Sequence, residues 1–154
     1  MKPWMPLGWI VAGALTLFGC GTSVSMNTPP GFAEIDNDDT YDYRATSAEG
    51  VVLAVRHEAN DPRGNLEFWS SAVRYELERK GYTRLDKSDI RSPSGLVGRQ
   101  MRYSVTREGR PHVLWVTVFV TPSSVFVVEA GGDVAHFEAV EKEVDKAVRN
   151  LNIG

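Results

Sequence analysis

Residues 112–121 constrain the fold more than any other part of the sequence, because they are apolar at nearly every position. A strand with one face in water alternates apolar and polar residues, whereas a strand buried on both faces does not. Polar turn sequences bound this stretch at residues 108–111 and 122–124. We therefore predict a central strand in a sheet that has a covering layer on each face.

Further strands complete the predicted sheet. Residues 99–106 alternate apolar and polar side chains, and residues 125–128 are apolar again after the second turn. Short turns between successive strands indicate an antiparallel meander. Upstream, residues 41–45 and 51–55 flank a glycine-containing turn and predict a hairpin.

Two amphipathic helices are the predicted covers. The first has an apolar stripe at three- and four-residue steps, with Asn65 as a suitable N-cap and Gly81 as a stop. That stripe comprises Leu66, Trp69, Val73 and Leu77. The second stripe comprises Phe137, Val140, Val144, Ala147 and Leu151. The element order predicts an α+β domain with α-β-α layers around an antiparallel sheet.

The N-terminus carries the pattern of a secretory signal. Residues 7–18 are uncharged, but twelve residues are too few for a membrane-spanning helix, which needs about 20. A basic start, a short apolar core and the small residue Gly19 are typical of a cleaved signal peptide. Cys20, the one cysteine in the chain, follows at once.

Residues 17–20, LFGC, resemble the lipobox of bacterial lipoproteins, with Leu17, Gly19 and Cys20 in the matching places. The resemblance implies that residues 1–19 are removed and that Cys20 becomes an acylated N-terminus. Two or three acyl chains hold a protein on a membrane far more firmly than one. The alternatives are a simple signal peptide with a chance cysteine and an uncleaved anchor.

After such cleavage the chain has 16 basic and 20 acidic side chains, a formal net charge of −4. This balance argues against nucleic acid as a partner, which calls for a basic face. Residues 20–30 are small and polar and end in a proline pair, so we expect an acylated cysteine followed by a flexible tether. Residues 31–154 are predicted to form one domain.

The element order, with particular residues at its joints, resembles the Mog1/PsbP-like fold. The resembling features are residues 30–32, Phe68-Trp69, Gly81-Tyr82, Gly95, Gly98 and residues 148–153. The resemblance implies a binding or accessory module and carries over no catalytic residues.

The sequence offers few candidates for a chemical site. His57, His112 and His136 lack the H-x-x-x-H spacing that puts two metal ligands on one helical face, so scattered surface positions are expected. Ser70 and Ser71 lie within the first helix without a nucleophile-elbow motif, and we predict solvated positions for them.

Residues 36–42 contain several carboxylates that could surround a hard cation such as calcium. The calcium-loop pattern fails at Tyr41, where glycine must turn, and at Ser47, where glutamate should close the site. An acidic loop in water is the preferred interpretation, and cation binding stays open.

Trp69 and Trp115 are predicted core residues that pack helix against sheet, the alternative being a ligand groove lined by Trp115 and Phe119. Residues 87–95 are polar, contain Pro93 and Gly95, and predict a loop with a possible contact role.

No catalytic, cofactor or metal site is predicted. The sequence indicates a lipid-anchored protein of the bacterial cell envelope, facing the periplasm or the cell surface, whose domain binds or supports another envelope component. The alternatives are a small-ligand-binding or enzymatic domain, with a pocket formed by the histidines or the acidic loop, and a passive structural lipoprotein. Inner and outer membrane are not distinguished.

Overall fold

The computed structural model describes residues 21–36 and 39–154. In chain order these residues form β1 (Val24–Ser25), β2 (Phe32–Glu34), β3 (Tyr43–Ser47), β4 (Val52–Ala59), α1 (Leu66–Arg79), β5 (Thr83–Arg91), β6 (Val97–Arg107), β7 (Arg110–Val120), β8 (Ser124–Asp133), α2 (Val134–Arg149) and β9 (Asn152–Ile153).

Seven of the strands form one antiparallel sheet, in the order β2-β3-β4-β8-β7-β6-β5. The apolar stretch at residues 112–121 is β7, which pairs with β6 on one side and β8 on the other. The prediction of an α+β domain with an antiparallel meander is therefore confirmed. The predicted hairpin is β3 and β4, which joins the meander through β8.

One face of the sheet packs against α2. Asp133 caps this helix, because its carboxylate accepts a hydrogen bond from the amide of Ala135 at 3.0 Å. Apolar side chains of the helix meet those of the strands in the larger core cluster, where the Phe137 and Trp115 rings stand edge to face at 5.0 Å. Leu151, assigned to the helical stripe by sequence, lies just beyond the helix but is fully buried.

The opposite face packs against α1. The Asn65 side chain caps its start by accepting from the Phe68 amide at 2.9 Å, and Gly81 follows its end with a φ of 89°. Leu66, Trp69, Val73 and Leu77 pack onto the second core cluster, as their spacing predicts. The two covering layers are thus confirmed.

The predicted loop at residues 87–95 is wrong in its first half. β5 runs to Arg91 and pairs with β6 along nearly its whole length. Its side chains are exposed except for Ile90, so it shows no apolar periodicity. It is an edge strand held by backbone pairing. Its many charged side chains discourage pairing with a strand of another chain, and so protect the exposed edge from aggregation.

The predicted flexible tether over residues 20–30 is also wrong for most of its length. Val24 and Ser25 pair with Ile153 and Asn152, and the amide of Gly154 donates to the Ser23 carbonyl at 2.9 Å. The proline pair that ends the predicted tether lies after β1. Pairing with the C-terminus is a long-range contact, which local sequence does not reveal.

The two tryptophans lie where the sequence places them. Trp115 is buried in the larger cluster, and Trp69 packs against the second cluster while its Nε1 donates to the Asn60 Oδ1 at 2.8 Å. The prediction for Ser70 is wrong, because this serine is buried and its hydroxyl donates to the Leu66 carbonyl one turn earlier. Ser71 is half-buried, with its hydroxyl 3.5 Å from a Glu67 carboxylate oxygen.

Candidate functional site: a groove on the half-covered face of the sheet

A groove lies on the part of the sheet that α1 leaves open. This helix of 14 residues packs against β5, β6 and β7. At about 1.5 Å per residue it is about 21 Å long. Val125 and Val127, near the start of β8, are buried in the cluster that α1 covers, whereas in the described part of the chain the same face of β3, β4 and the second half of β8 borders the groove. The resulting groove has a volume of about 1000 Å³.

The floor of the groove consists of small and apolar residues on three adjacent strands, together with one glutamate. It comprises Val52, Ala54, Leu114, Glu129 and Gly131. A side chain at Gly131 would place its Cβ 2.7 Å from the Val113 carbonyl oxygen, which belongs to the backbone of β7. A Cβ at Gly132 would lie 3.2 Å from the Val51 Cα. The two glycines therefore allow β8 to lie close against both of its neighbours.

Glu129 is the one acidic residue of this floor. It is opposite Ala54 on β4 and Val116 on β7, so aliphatic residues flank it across both strand pairs. Its side chain is partly buried and makes no hydrogen bond or ion pair with another described residue. A carboxylate in such a place gains from a ligand that donates hydrogen bonds, because its own hydration is already incomplete.

One wall of the groove is built from the end of α1 and the β6–β7 hairpin. Tyr82 stands here with its ring edge to face against Tyr103, at 6.4 Å between centroids. The Arg107 guanidinium donates to the Tyr82 hydroxyl and lies 5.7 Å from the centre of its ring. Burial raises the pKa of the Tyr103 hydroxyl behind it. This wall is thus a supported aromatic surface with a cation at its edge.

Charges of both signs surround the groove. Its basic residues are Arg44, Lys80, Arg107 and Arg110, and its acidic residues are Glu49, Glu108, Glu129 and Asp133. Such a lining creates no field of a single sign, unlike the basic stripe that nucleic acid requires. Mixed charges around an apolar floor instead favour a ligand with a matching pattern of charged and apolar groups.

The structure brings two of the three histidines to this groove. His112 and His136 both line it, and the Nδ1 of His112 lies 3.2 Å from the Arg110 carbonyl oxygen. His57 lies elsewhere, where its Nδ1 is 2.8 Å from both carboxylate oxygens of Asp42 and its ring is 5.7 Å from that of Phe126. The sequence spacing gave no sign that two histidines share one groove.

The acidic segment forms a different surface. Residues 37–38 lie outside the described residues, while Asp36 and Asp39 are exposed and Asp42 is bonded to His57. A small cavity of about 210 Å³ lies beside this segment. Within residues 21–36 and 39–154, no three side chains from His, Cys, Asp and Glu stand close enough to hold a metal ion.

The predicted signal peptide and the acylation site Cys20 lie outside the described residues. Within the described chain, neither helix has the length and hydropathy of a membrane span.

The sequence matches no protein-family model and no curated protein. Its fold does match solved structures. LpqN, involved in cell envelope biogenesis of Mycobacterium tuberculosis, has a TM-score of 0.72 at 12% identity, over 86% of this chain and 83% of LpqN.

Cyanobacterial PsbP from Synechocystis superposes with a TM-score of 0.55 at 10% identity, over 94% of this chain and 99% of that protein. A Pseudomonas aeruginosa protein of unknown function, described as a putative regulator, gives 0.57 at 14% identity, over 81% and 80%. The chain therefore has the Mog1/PsbP-like fold, as its sequence pattern predicts. Identities this low show the fold alone.

Proposed function

We propose that this protein is a lipid-anchored component of the bacterial cell envelope whose domain binds another envelope protein in the groove. The observation that carries the binding role is the open half of the sheet, with its apolar floor and its mixed charges. The residues described around it form no nucleophile–base pair and no metal cluster. A binding module is the function that this geometry supports best.

Two observations support the envelope location. The N-terminal sequence has the order of a lipoprotein signal, with Cys20 after a short apolar core and a glycine. The fold is similar to that of LpqN, a protein involved in cell envelope biogenesis. Location and anchoring are proposals on this basis, and Cys20 is the proposed point of lipid attachment.

The composition of the groove favours a protein partner. Protein interfaces combine an apolar centre with a polar rim, and aromatic residues and arginine are enriched in them. Here the apolar floor is bordered by Tyr82 and Arg107 on one wall and by Tyr41 and Arg44 on another side. Glu129 in the floor selects a segment that presents a hydrogen-bond donor or a cation to it.

Site-specific photocrosslinking in intact cells tests the proposal. A photoreactive amino acid at position 52, in the groove floor, should give one crosslinked protein adduct. The same probe at position 85 on the exposed edge strand should not give it. The Glu129→Lys variant should reduce the adduct at least tenfold, whereas Glu138→Lys on the exposed face of α2 should leave it unchanged.

Equal adducts from positions 52 and 85, or an adduct insensitive to Glu129→Lys in a folded variant, would remove the groove as the binding site. A small molecule that protects the groove from labelling in place of any protein adduct would instead support the small-ligand alternative and contradict a protein partner.

A further inference from the structure

The position of β1 relative to the groove determines how a lipid-anchored domain is oriented on a membrane. Ser23 and Gly154 are hydrogen-bonded through their backbones, and Val24 pairs with Ile153. Val24, Met26 and Ile153 all pack against the larger core cluster. The chain is therefore fixed to the domain from Ser23 onward.

This docking shortens the connection to Cys20. Residues 20–22 alone lie between the predicted acylation site and the fixed backbone, and three residues reach at most about 10 Å. A free tether over residues 20–30 would reach about 35 Å. A short connection restricts both the height of the domain above a bilayer and its orientation.

The groove lies at the other end of the molecule. α2 follows β8 directly and packs back along β8 and β7. Its first turn carries His136, which lines the groove. Its last residue is Arg149, and only Asn150 and Leu151 separate it from β9. A helix of 16 residues spans about 24 Å.

The turns between the strands lie at the same two ends of the molecule as the two ends of α2. The β3–β4 turn at Glu49 and the β6–β7 turn at Glu108 both line the groove, and we call this the groove end. The β7–β8 turn at Ser123 lies at the opposite end of β8, and α2 runs towards it. We call this end of the molecule, which comprises the β7–β8 turn, β1 and β9, the anchor end. β8 has ten residues, so the two ends are about 33 Å apart.

An exposed aromatic residue supports a membrane contact at the anchor end. Asn60 and Ser123 are joined by a backbone hydrogen bond of 2.9 Å, which places the start of α1 at this end. Phe68 in the first turn of α1 is 50% exposed. Aromatic side chains are favoured at the interface between lipid and water.

We propose that the acyl anchor at Cys20 holds the anchor end of the domain against the bilayer, so that the groove faces away from the membrane surface. This inference rests on the proposed lipid anchoring. Partners would then reach the groove from the periplasmic or external space, on the side away from the bilayer. The pairing of β1 with β9 would determine this orientation.

The test places an azide-bearing amino acid at position 123 or position 49 and labels it with a fluorophore. The acylated protein is recovered from cell membranes and reconstituted into phosphatidylcholine vesicles that carry a quencher on the lipid headgroups. Quenching should be several-fold stronger at position 123 than at position 49. Equal quenching, or stronger quenching at position 49, would overturn the proposal.

Variants of β9 separate orientation from simple anchoring. A chain that ends at Leu151 lacks β9, so the difference in quenching between the two positions should shrink, whereas Asn152→Ala should preserve it. If circular dichroism shows the truncated chain to be unfolded, Ser23→Pro replaces it, since it removes the amide that donates to the Gly154 carbonyl. An unchanged difference in a folded β9 variant would contradict the role of this pairing.

Failure of the anchor and failure of the orientation are distinguishable. Mass spectrometry reports whether Cys20 is acylated. An unmodified thiol would contradict the proposed anchoring. In that case the same labelled protein is coupled through Cys20 to a maleimide lipid, which replaces the natural anchor. The quenching comparison then tests the orientation alone, with the same expected and contradicting results.

Discussion

Among single residues, Asn60 joins the loop before α1, the first turn of that helix and the turn after β7, which is distant in sequence. Its Nδ2 donates to the carbonyls of Gly64 and Thr121, both at 3.0 Å, and its Oδ1 accepts from the Gly64 amide and the Trp69 indole, both at 2.8 Å. Asn60 is 9% exposed, so water does not readily replace these bonds. Nothing in the local sequence distinguishes this asparagine.

We expect Asn60→Ala to lower the free energy of unfolding by about 3 kcal/mol, because it leaves several half-buried donors and acceptors without partners. Urea unfolding followed by tryptophan fluorescence measures the loss. Asn150→Ala is the matched control, since this exposed side chain makes one bond to the Lys146 carbonyl and should change stability by about 0.5 kcal/mol. Equal midpoints for wild type and Asn60→Ala would contradict the prediction.

Gly131 shapes the groove floor through the absence of a side chain. Gly131→Ala would bring a Cβ against the Val113 carbonyl, and a backbone atom cannot turn aside as a side chain can. We expect a loss of about 1–3 kcal/mol, typical of overpacking. Gly21→Ala is the control, because its Cβ would meet no atom within 4 Å. The same urea midpoint for both variants would show that the strands at the groove tolerate a side chain.

At the scale of elements, an arginine on the sheet holds the start of α1 in place. Arg99 donates from its Nε to Asp89 on β5 at 2.9 Å and from a terminal nitrogen to Glu67 in the first turn of α1. These hydrogen bonds are the main reason that the pKa values of Glu67 and Asp89 lie below their ordinary values of 4.5 and 3.8. The network joins α1 to β6 and to the edge strand β5.

This network makes a pH-dependent contribution to stability. Carboxyl groups with lowered pKa values stabilise the folded state above their ordinary pKa values, and the contribution is lost as the pH falls through the folded values. Arg99→Gln should therefore unfold at lower urea than wild type at pH 7, and this gap should close below about pH 4. A gap of constant size from pH 7 to pH 3 would indicate that packing of the Arg99 stem, and not its charge, stabilises the helix.

The elements that the sequence predicts are those with an apolar pattern of their own. The spacing of apolar residues reveals α1 and α2, and an unbroken apolar run reveals β7. β5 escaped prediction because it is an edge strand of mostly charged residues, whose contribution to the fold is backbone pairing with β6. β1 and β9 escaped because two-residue strands at opposite ends of the chain have no local pattern.

At the scale of the whole molecule, the candidate site follows from unequal coverage of the two sheet faces. The sequence predicts a cover for each face, but the position of α1 across its face depends on tertiary packing. The groove collects residues from β3, β4, β8, the turn end of the β6–β7 hairpin, the end of α1 and the start of α2. Gly131-Gly132 inside a strand was the one available sign, because paired glycines in a strand mark close backbone approach.

Membrane attachment through Cys20 is the premise on which the proposed location, the partner and the orientation of the groove all depend. The most direct measurement is intact mass spectrometry of the protein recovered from membranes of cells that express the full chain, with Cys20→Ala as the matched control. We predict a chain that begins at Cys20 and carries the added mass of its acyl chains, and a Cys20→Ala protein without that mass. A chain that still contains residues 1–19, or one that begins at Cys20 with an unmodified thiol, would contradict attachment through this residue.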